Sequence, residues 1–209
     1  MVMVIEGQPP AVTVDSLRSL SRQQSTRWEL TVVAEKPWHT EVAALLSVSG
    51  ITQPFEVLTH EGGAGFDRLL ERGFAAAATD DLALIFPGDV WTEDAVRILS
   101  TALEEGGIAY ADEDCVGPDG TYCQPRLKPE FSPEFALHAD LIGRPLALGA
   151  GVANRLAAGS EATIGSRDHD LALRAVEVAT SVRHIDEVLC HRRVPPATSL
   201  GRGHIAAAL

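Results

Sequence analysis

The 209-residue sequence predicts an α/β protein with a mostly parallel sheet, helices on both faces and a small antiparallel hairpin region. Short β-branched and aliphatic runs alternate with amphipathic stretches, which is the pattern of βα units. Apolar residues make up 45% of the chain and charged residues 22%, which is the composition of a globular protein with a buried core. An Asp-Gly pair between two extended arms, at Asp119-Gly120, predicts the hairpin.

The first half of the chain alternates strands with helices. Each predicted strand is a β-branched or aliphatic run, and each predicted helix repeats apolar residues every three or four positions. The strands span residues 2–5, 28–33, 55–59, 82–86 and 108–111, and the very apolar fourth strand is expected at the centre of the sheet. The helices span about 14–24, 41–47 and 66–78, and a fourth is expected to be capped by Thr92.

The second half is richer in proline. Pro125, Pro129 and Pro133 follow the hairpin at intervals of four, which excludes a regular helix there. A short helix is expected at 133–138, a longer one at about 167–179 with Ser166 as its cap, and two short strands at 182–185 and 188–191. The predicted organisation is a single domain over residues 1–195 with a C-terminal tail over 196–209.

Charge and hydropathy exclude several classes of function. Seventeen basic and 29 acidic residues give a net charge of −12, which repels phosphate backbones, so nucleic acid is not an expected partner. No apolar run reaches the roughly 20 residues that span a bilayer. The first residues are interpreted as a strand and not as a signal peptide. Three cysteines, an odd number, argue against a disulfide framework and favour a cytoplasmic location.

Acidic residues follow four of the predicted strands: Glu6, Glu35, Asp89 and the run Asp112-Glu113-Asp114. Ligands of open parallel sheets bind beyond the carboxyl ends of the strands. Neighbouring carboxylates repel one another unless a cation lies between them. The pattern therefore favours Mg²⁺ or Mn²⁺ carrying a diphosphate at this edge. The alternative is that these acids are solvated loop residues or helix caps.

One long segment resembles a known signature. Tyr110-Ala-Asp-Glu-Asp114, Asp119-Gly120, Pro125-Arg-Leu-Lys-Pro129 and Phe131-Ser-Pro133-Glu-Phe are similar in order and spacing to the Y-S-D-E-D … D-G … P-x-F-K-P-x-x-S-P signature of family 2 glycosyltransferases. These are inverting enzymes of the GT-A fold that use nucleotide-diphosphate sugars. Flanking segments agree in chain order: Ser19-Leu20-Ser-Arg-Gln23, Trp28-Glu29-Leu30, Asp168-His-Asp170-Leu171 and Val188-Leu189-Cys-His191-Arg192.

The resemblance implies roles for individual residues. Asp168 would be the catalytic base that takes the proton of an acceptor hydroxyl. Asp89 and His191 would lie at a divalent metal, and Arg192 would offset the charge of the diphosphate. The residues expected to form the nucleotide-sugar site are Glu6, Glu35, Asp89, Asp112, Asp114 and Arg192. The implied partners are a nucleotide-diphosphate sugar and an unidentified hydroxyl acceptor, and a homo-oligomer is left open.

The chain also departs from the family pattern. Phe86-Pro87-Gly88 stands where the family carries the D-A-D of its metal motif, and Arg167 replaces the acid before Asp168. Two hypotheses follow: an active glycosyltransferase with an altered metal site, or a degenerate, non-catalytic GT-A module that binds a partner or scaffolds an assembly. An unrelated nucleotide-binding α/β protein is a third reading, which the lack of G-x-G-x-x-G and P-loop motifs disfavours.

Overall fold

The structure is a computed structural model that describes residues 1–193 except 8, 10, 64, 77–80 and 158–166. The described strands are β1 (Val2–Ile5), β2 (Leu30–Glu35), β3 (Phe55–His60), β4 (Leu82–Ile85), β5 (Asp89–Trp91), β6 (Ile108–Val116), β7 (Tyr122–Arg126), β8 (Leu146–Leu148) and β9 (Val182–Arg193). The described helices are α1 (Thr13–Ser21), α2 (His39–Ser49), α3 (Phe66–Ala76), α4 (Ala95–Ala102), α5 (Pro133–His138), α6 (Val152–Ala157) and α7 (Arg167–Val178).

All of these strands belong to one mixed sheet in the order β3-β2-β1-β4-β8-β6-β9-β5, with β7 beside β6. Strands β1, β2, β3 and β4 are parallel, and so are β6 and β9. Strand β8 lies antiparallel between β4 and β6, which leaves β4 and β6 pointing the same way. Strands β5 and β7 are antiparallel additions. The predicted mostly parallel sheet and its antiparallel hairpin are both confirmed.

The helices cover both faces of the sheet, as predicted. Val2 and Val4 of β1 pack in one core with residues of α3, α6 and α7, while Met3 and Ile5 pack in a second core with α1, α2 and α4. The alternation follows from the two-residue period of a strand. Helix α3 lies so close to β1 that an added Cβ at Gly73 would be 2.6 Å from Val2 Cγ1.

Several boundaries differ from the sequence prediction because long-range pairing extends the strands. Strand β6 continues to Val116 and therefore contains the Asp112-Glu113-Asp114 run, which the sequence placed after the strand. The two predicted short strands after residue 181 form the single strand β9, because its pairing with β6 continues through a register shift. Strands β5 and β8 and helix α6 had no distinct sequence signal and were not predicted.

The predicted helix cap at Thr92 is wrong. Helix α4 begins at Ala95, and its N-cap position is Asp94, whose side chain makes no capping bond. The Thr92 hydroxyl instead bonds to the Asp94 carboxylate at 3.2 Å. Ser166, the other predicted cap, lies outside the described residues, as does the predicted tail. No helix in the described ranges is both long enough and apolar enough to cross a membrane.

Candidate functional site

Two predicted site residues lie at the carboxyl ends of adjacent parallel strands. Glu35 ends β2, and its Oε1 accepts a hydrogen bond of 2.9 Å from the backbone N–H of Gly63. Glu6 follows β1, and its Oε1 accepts one of 3.3 Å from the N–H of Phe66, the first residue of α3. Both carboxylates therefore hold the loop that joins β3 to α3 against this edge of the sheet, which we call the carboxyl edge.

At the end of β4 the chain reverses direction in a tight turn. The N–H of Asp89 donates to the carbonyl of Phe86 at 2.9 Å, and Gly88 has φ of +96°. Proline at the second position and glycine at the third are the residues that a type II turn requires. Ser16 of α1 holds the turn, since its Oγ accepts from the Gly88 N–H at 2.9 Å. The Phe86-Pro87-Gly88 segment, which stands where the family carries D-A-D, is thus part of a tight turn that leads into β5.

Asp89 is buried and faces an arginine. Its side chain is 1% exposed, and its Oδ1 lies 3.0 Å from Nη1 of Arg144. Its Oδ2 accepts a hydrogen bond of 2.9 Å from the Phe86 N–H. Burial raises the pKa of Asp89 above its ordinary value, and the positive charge of Arg144 opposes that effect. The Arg144 guanidinium also lies over the Phe86 ring, 3.8 Å from its centroid.

Strand register separates the two predicted metal ligands. Across β5 and β9, Asp89 is paired with Arg192 and Val90 is paired with His191. Directly paired residues share a face of a sheet and successive residues alternate, so Asp89 and Arg192 lie on one face and His191 on the other. The Nδ1 of His191 lies 2.5 Å from Oδ1 of Asp114 instead. The register therefore does not bring Asp89 and His191 together on one face of the sheet.

Asp112 is buried and bonded to two neighbouring segments. It is 1% exposed, and its Oδ1 accepts hydrogen bonds from the Lys128 N–H at 2.8 Å and from His184 Nε2 at 2.9 Å. Nearby, the Tyr110 hydroxyl donates to the carbonyl of Pro129 at 2.7 Å. These bonds hold the proline-rich segment against β6. The predicted contact of Asp112 with a nucleotide stays a prediction.

Four cations surround two buried carboxylates beside this segment. We call these cations, Arg126, Lys128, Arg144 and Arg192, the cation cluster. Arg144 pairs with Asp89, while the other three approach Glu113 at N···O distances of 2.7, 3.6 and 3.8 Å for Arg126, Lys128 and Arg192. Glu113 is 2% exposed, so these charges interact in a weakly screened environment.

Lys128 is the most buried member of the cation cluster. Its Nζ donates to the carbonyls of Ile142 and Arg144 at 2.8 Å each, and also to the carbonyl of Ala111. Burial lowers the pKa of Lys128 to about 8, with the charge of Glu113 acting in the opposite direction. From this position the Lys128 ammonium offsets the negative charge of Glu113 in the acidic run of β6.

The cation cluster borders a groove of about 690 Å³ formed by β6, β7, β9 and α5. Arg126 and Arg192 line it with side chains 38% and 45% exposed, so both present charge to the solvent in the groove. Asp114 also lines the groove, and Phe135 contributes an apolar wall. Arg192 is paired with Asp89 across β5 and β9, so the groove that Arg192 lines lies next to the ion pair of Asp89 with Arg144.

The proposed base, Asp168, lies in the first turn of α7, and its side chain is outside the described part of the structure. Its neighbour His169 places that turn, because His169 Nε2 bonds to the carbonyl of Ala136 at 2.7 Å. Ala136 belongs to α5, which also supplies Phe135 to the groove. The start of α7 therefore packs beside the wall of the groove.

The residues present do not fit the divalent cation that the resemblance implies. Both Asp89 oxygens have partners, one of them a guanidinium whose charge opposes a metal ion. Among the residues that the structure describes, no cluster of three or more histidine, cysteine, aspartate or glutamate side chains is arranged for a metal.

Sequence reasoning missed Arg144 and the polar face of α1. Arg144 lies in a stretch with no predicted element, and no local pattern marks it as the partner of Asp89. Ser19 Oγ accepts from the Trp91 N–H at 3.0 Å, and Gln23 donates to the Thr92 carbonyl at 2.6 Å. The segment from Ser19 to Gln23, part of the resemblance, therefore attaches α1 to β5. The polar residues of this segment recur at helical spacing, and that pattern could have indicated a polar face on α1.

Comparisons with known proteins agree with this architecture. No model of a protein family matches the chain. The chain is 27% identical over 207 residues to the O-antigen biosynthesis protein RfbC of Myxococcus xanthus, and 23% identical over 205 residues to the uncharacterized protein y4gI of Sinorhizobium fredii. These alignments cover 97% and 95% of the chain but span only 16% and 23% of the two curated relatives.

Solved structures of S. aureus TarS share the fold of this chain. TarS 1-349 in complex with UDP-GlcNAc superposes with a TM-score of 0.69 at 11% identity, covering 100% of this chain and 61% of that one. TarS 1-349 alone also has a TM-score of 0.69 at 11% identity, with 92% and 60% covered. The predicted GT-A type fold and the resemblance to glycosyltransferases of that fold are confirmed.

Proposed function

We propose that this chain is a glycosyltransferase domain that binds a nucleotide-diphosphate sugar at the carboxyl edge and transfers the sugar to an acceptor hydroxyl with inversion. The observation that carries the proposal is the cation cluster. In a chain of net charge −12, it gathers four cations beside one groove, and three of them are guanidinium groups. Guanidinium groups bind phosphate oxygens through paired hydrogen bonds, so such a cluster suits a diphosphate.

The position of the cation cluster supports the same assignment. Arg144 stacks on Phe86, directly after β4, where open α/β sheets bind their ligands. Glu35 and Glu6 lie at the same edge, next to the loop that contains Gly62-Gly63. We infer that Glu35 and this loop contact the nucleotide, and that the diphosphate extends from there towards Arg144 and Arg192. A neighbouring fold solved with UDP-GlcNAc makes a nucleotide sugar the ligand to test first.

The chemistry assigned to the chain is a single displacement. The Asp168 carboxylate accepts the proton of the acceptor hydroxyl while that oxygen attacks the anomeric carbon. The bond from the anomeric carbon to the diphosphate breaks, and the nucleoside diphosphate leaves with both electrons of that bond. The arginines of the cation cluster stabilise the charge that grows on the leaving group. Attack from the opposite side inverts the configuration of the sugar.

Isothermal titration calorimetry with UDP, dTDP and GDP tests the binding step. At least one of them is expected to give saturable heat, and the absence of heat with all three would contradict the proposal. Turnover is tested with the matching nucleotide sugars by measuring released nucleoside diphosphate. Asp168→Asn is expected to lower kcat by about 100-fold or more, the effect of losing a general base. Glu177→Gln, an exposed change on the same helix, is the matched control.

A second candidate function is a non-catalytic GT-A module that retains the fold as a binding or scaffold domain. The observation in its favour is the Phe86-Pro87-Gly88 turn, which carries no carboxylate. The small share of each curated relative that the chain spans is compatible with a domain of a larger assembly. Under this reading nucleotides bind without turnover, and Asp168→Asn changes nothing. Loss of measured turnover in that variant would exclude it.

A further inference from the structure

We propose that the Arg144 guanidinium takes the place of a divalent cation in this chain, so that it binds nucleoside diphosphates without a metal. The inference rests on the proposed function and specifies how the diphosphate charge is neutralised. Asp89 is the acid that directly follows the Phe86-Pro87-Gly88 segment. Oδ1 of the buried Asp89 lies 3.0 Å from Arg144 Nη1.

Arg144 is held in place from three sides. Asp89 pairs with its guanidinium, and the Phe86 ring lies 3.8 Å from the guanidinium carbon. Phe86 in turn stacks on Phe66 with ring centroids 6.0 Å apart. The carbonyl of Arg144 accepts a hydrogen bond of 2.8 Å from Lys128 Nζ. A cation fixed in this way needs little reorganisation when an anion binds.

Phe86, which stands where the family carries an acid, suits a site in which Arg144 replaces a divalent cation. A carboxylate at the end of β4 would orient a metal, whereas an aromatic ring offers its negative face to a guanidinium. Arginine suits the role because its planar group carries five N–H donors and binds phosphate oxygens in pairs. A metal ion at Asp89 would instead have to displace Arg144 and leave a buried guanidinium beside a dication.

A second positive group lies on the same face. Arg192 is paired with Asp89 across β5 and β9, and its side chain is 45% exposed in the groove. Arg144 is 17% exposed, so a diphosphate could contact both guanidinium groups. Two monocations would then supply the two positive charges that one divalent metal supplies.

Calorimetric titration of the full chain with UDP, dTDP and GDP, in excess EDTA and then in Mn²⁺, tests the inference. We expect one of these nucleotides to bind with a dissociation constant that agrees within about twofold in the two buffers. Mn²⁺ alone should give no saturable heat. Arg144→Gln should weaken binding at least tenfold, and Arg144→Lys should weaken it less, since it keeps the charge but loses the planar donors. Arg97→Gln, an exposed arginine on α4, is the matched control and should change nothing.

The outcomes separate this inference from the proposed function. Binding that requires Mn²⁺ and disappears in EDTA would overturn the role of Arg144 and leave the glycosyltransferase proposal standing. Metal-free binding that Arg144→Gln does not weaken would also overturn it. No binding of any of the three nucleotides in either buffer would overturn both. If Arg144→Gln alone does not fold, Asp89→Asn with Arg144→Gln removes both buried charges together, and it should show the same tenfold loss with or without Mn²⁺.

Discussion

Replacing the buried ammonium of Lys128 by an apolar side chain, in Lys128→Met, should destabilise the fold substantially. Its Nζ donates to three main-chain carbonyls, those of Ala111, Ile142 and Arg144, and the side chain is 1% exposed. Methionine fills a similar volume but donates no hydrogen bond, so it leaves all three carbonyls without this donor.

The expected magnitude follows from two opposing effects. Each buried carbonyl that loses its donor costs about 1–3 kcal/mol. Removing the ammonium also removes the cost of burying a charge, which is visible in the lowered pKa of Lys128 and amounts to about 3 kcal/mol. At the middle of that range the three carbonyls lose about 6 kcal/mol, which exceeds this gain, so we expect the free energy of unfolding to fall by about 3 kcal/mol.

Urea denaturation followed by circular dichroism measures the effect, with the slope m expected to stay constant. Lys36→Met is the matched control, because Lys36 is 65% exposed and pairs with Glu61, which is 80% exposed. A surface pair of this kind contributes less than about 1 kcal/mol. If Lys128→Met were as stable as the control variant, the assignment of Lys128 as the clamp of the proline-rich segment would be refuted.

Three further predictions follow from single contacts. The pKa of Lys128 is about 8 in the folded state and 10.5 ordinarily, so between these pH values the unfolded state binds more protons. The stability of the wild type should therefore rise with pH over this window, whereas that of Lys128→Met should not. Urea midpoints measured across the window report the difference. Tyr110→Phe removes the donor to the Pro129 carbonyl and should cost about 1–2 kcal/mol in urea denaturation. In the wild type, burial raises the pKa of Tyr110 to about 12. Its phenolate should therefore be absent from an absorbance titration at pH 11 or below. Gly73→Ala places a methyl group 2.6 Å from Val2 Cγ1. This crowding should cost about 1–3 kcal/mol and lower the midpoint of thermal unfolding, although alanine is the better helix former. An unchanged midpoint would show that α3 can move away from β1.

Local pattern was enough to predict most of the elements. Strand β1 and helix α5 have the predicted bounds, and the Asp119-Gly120 hairpin forms with Cys115 opposite Cys123. These features depend on hydrophobic period, on proline and on glycine, which act within a few residues. The predicted site acids Glu6 and Glu35 lie at the carboxyl edge for the same reason, since each directly follows a strand of the parallel sheet.

The chemistry of the site was decided by pairing between distant parts of the chain. Asp89 and Arg144 are 55 residues apart, and no local pattern encodes their contact. Register between β5 and β9 places His191 on the face opposite Asp89, although the two were predicted to share a ligand. A one-residue shift in the pairing of β5 with β9 would put Asp89 and His191 on the same face, because side chains alternate along a strand.

The sequence by itself therefore determined the order of the elements, the class of fold and the identity of the acids available at the edge of the sheet. Only the tertiary structure decided which charges those acids meet. The buried carboxylates of Asp89 and Glu113 are paired with the protein's own arginines and lysine. The physical reason is that hydrophobic period acts between near neighbours, whereas the charge balance of a buried site depends on every element packed around it.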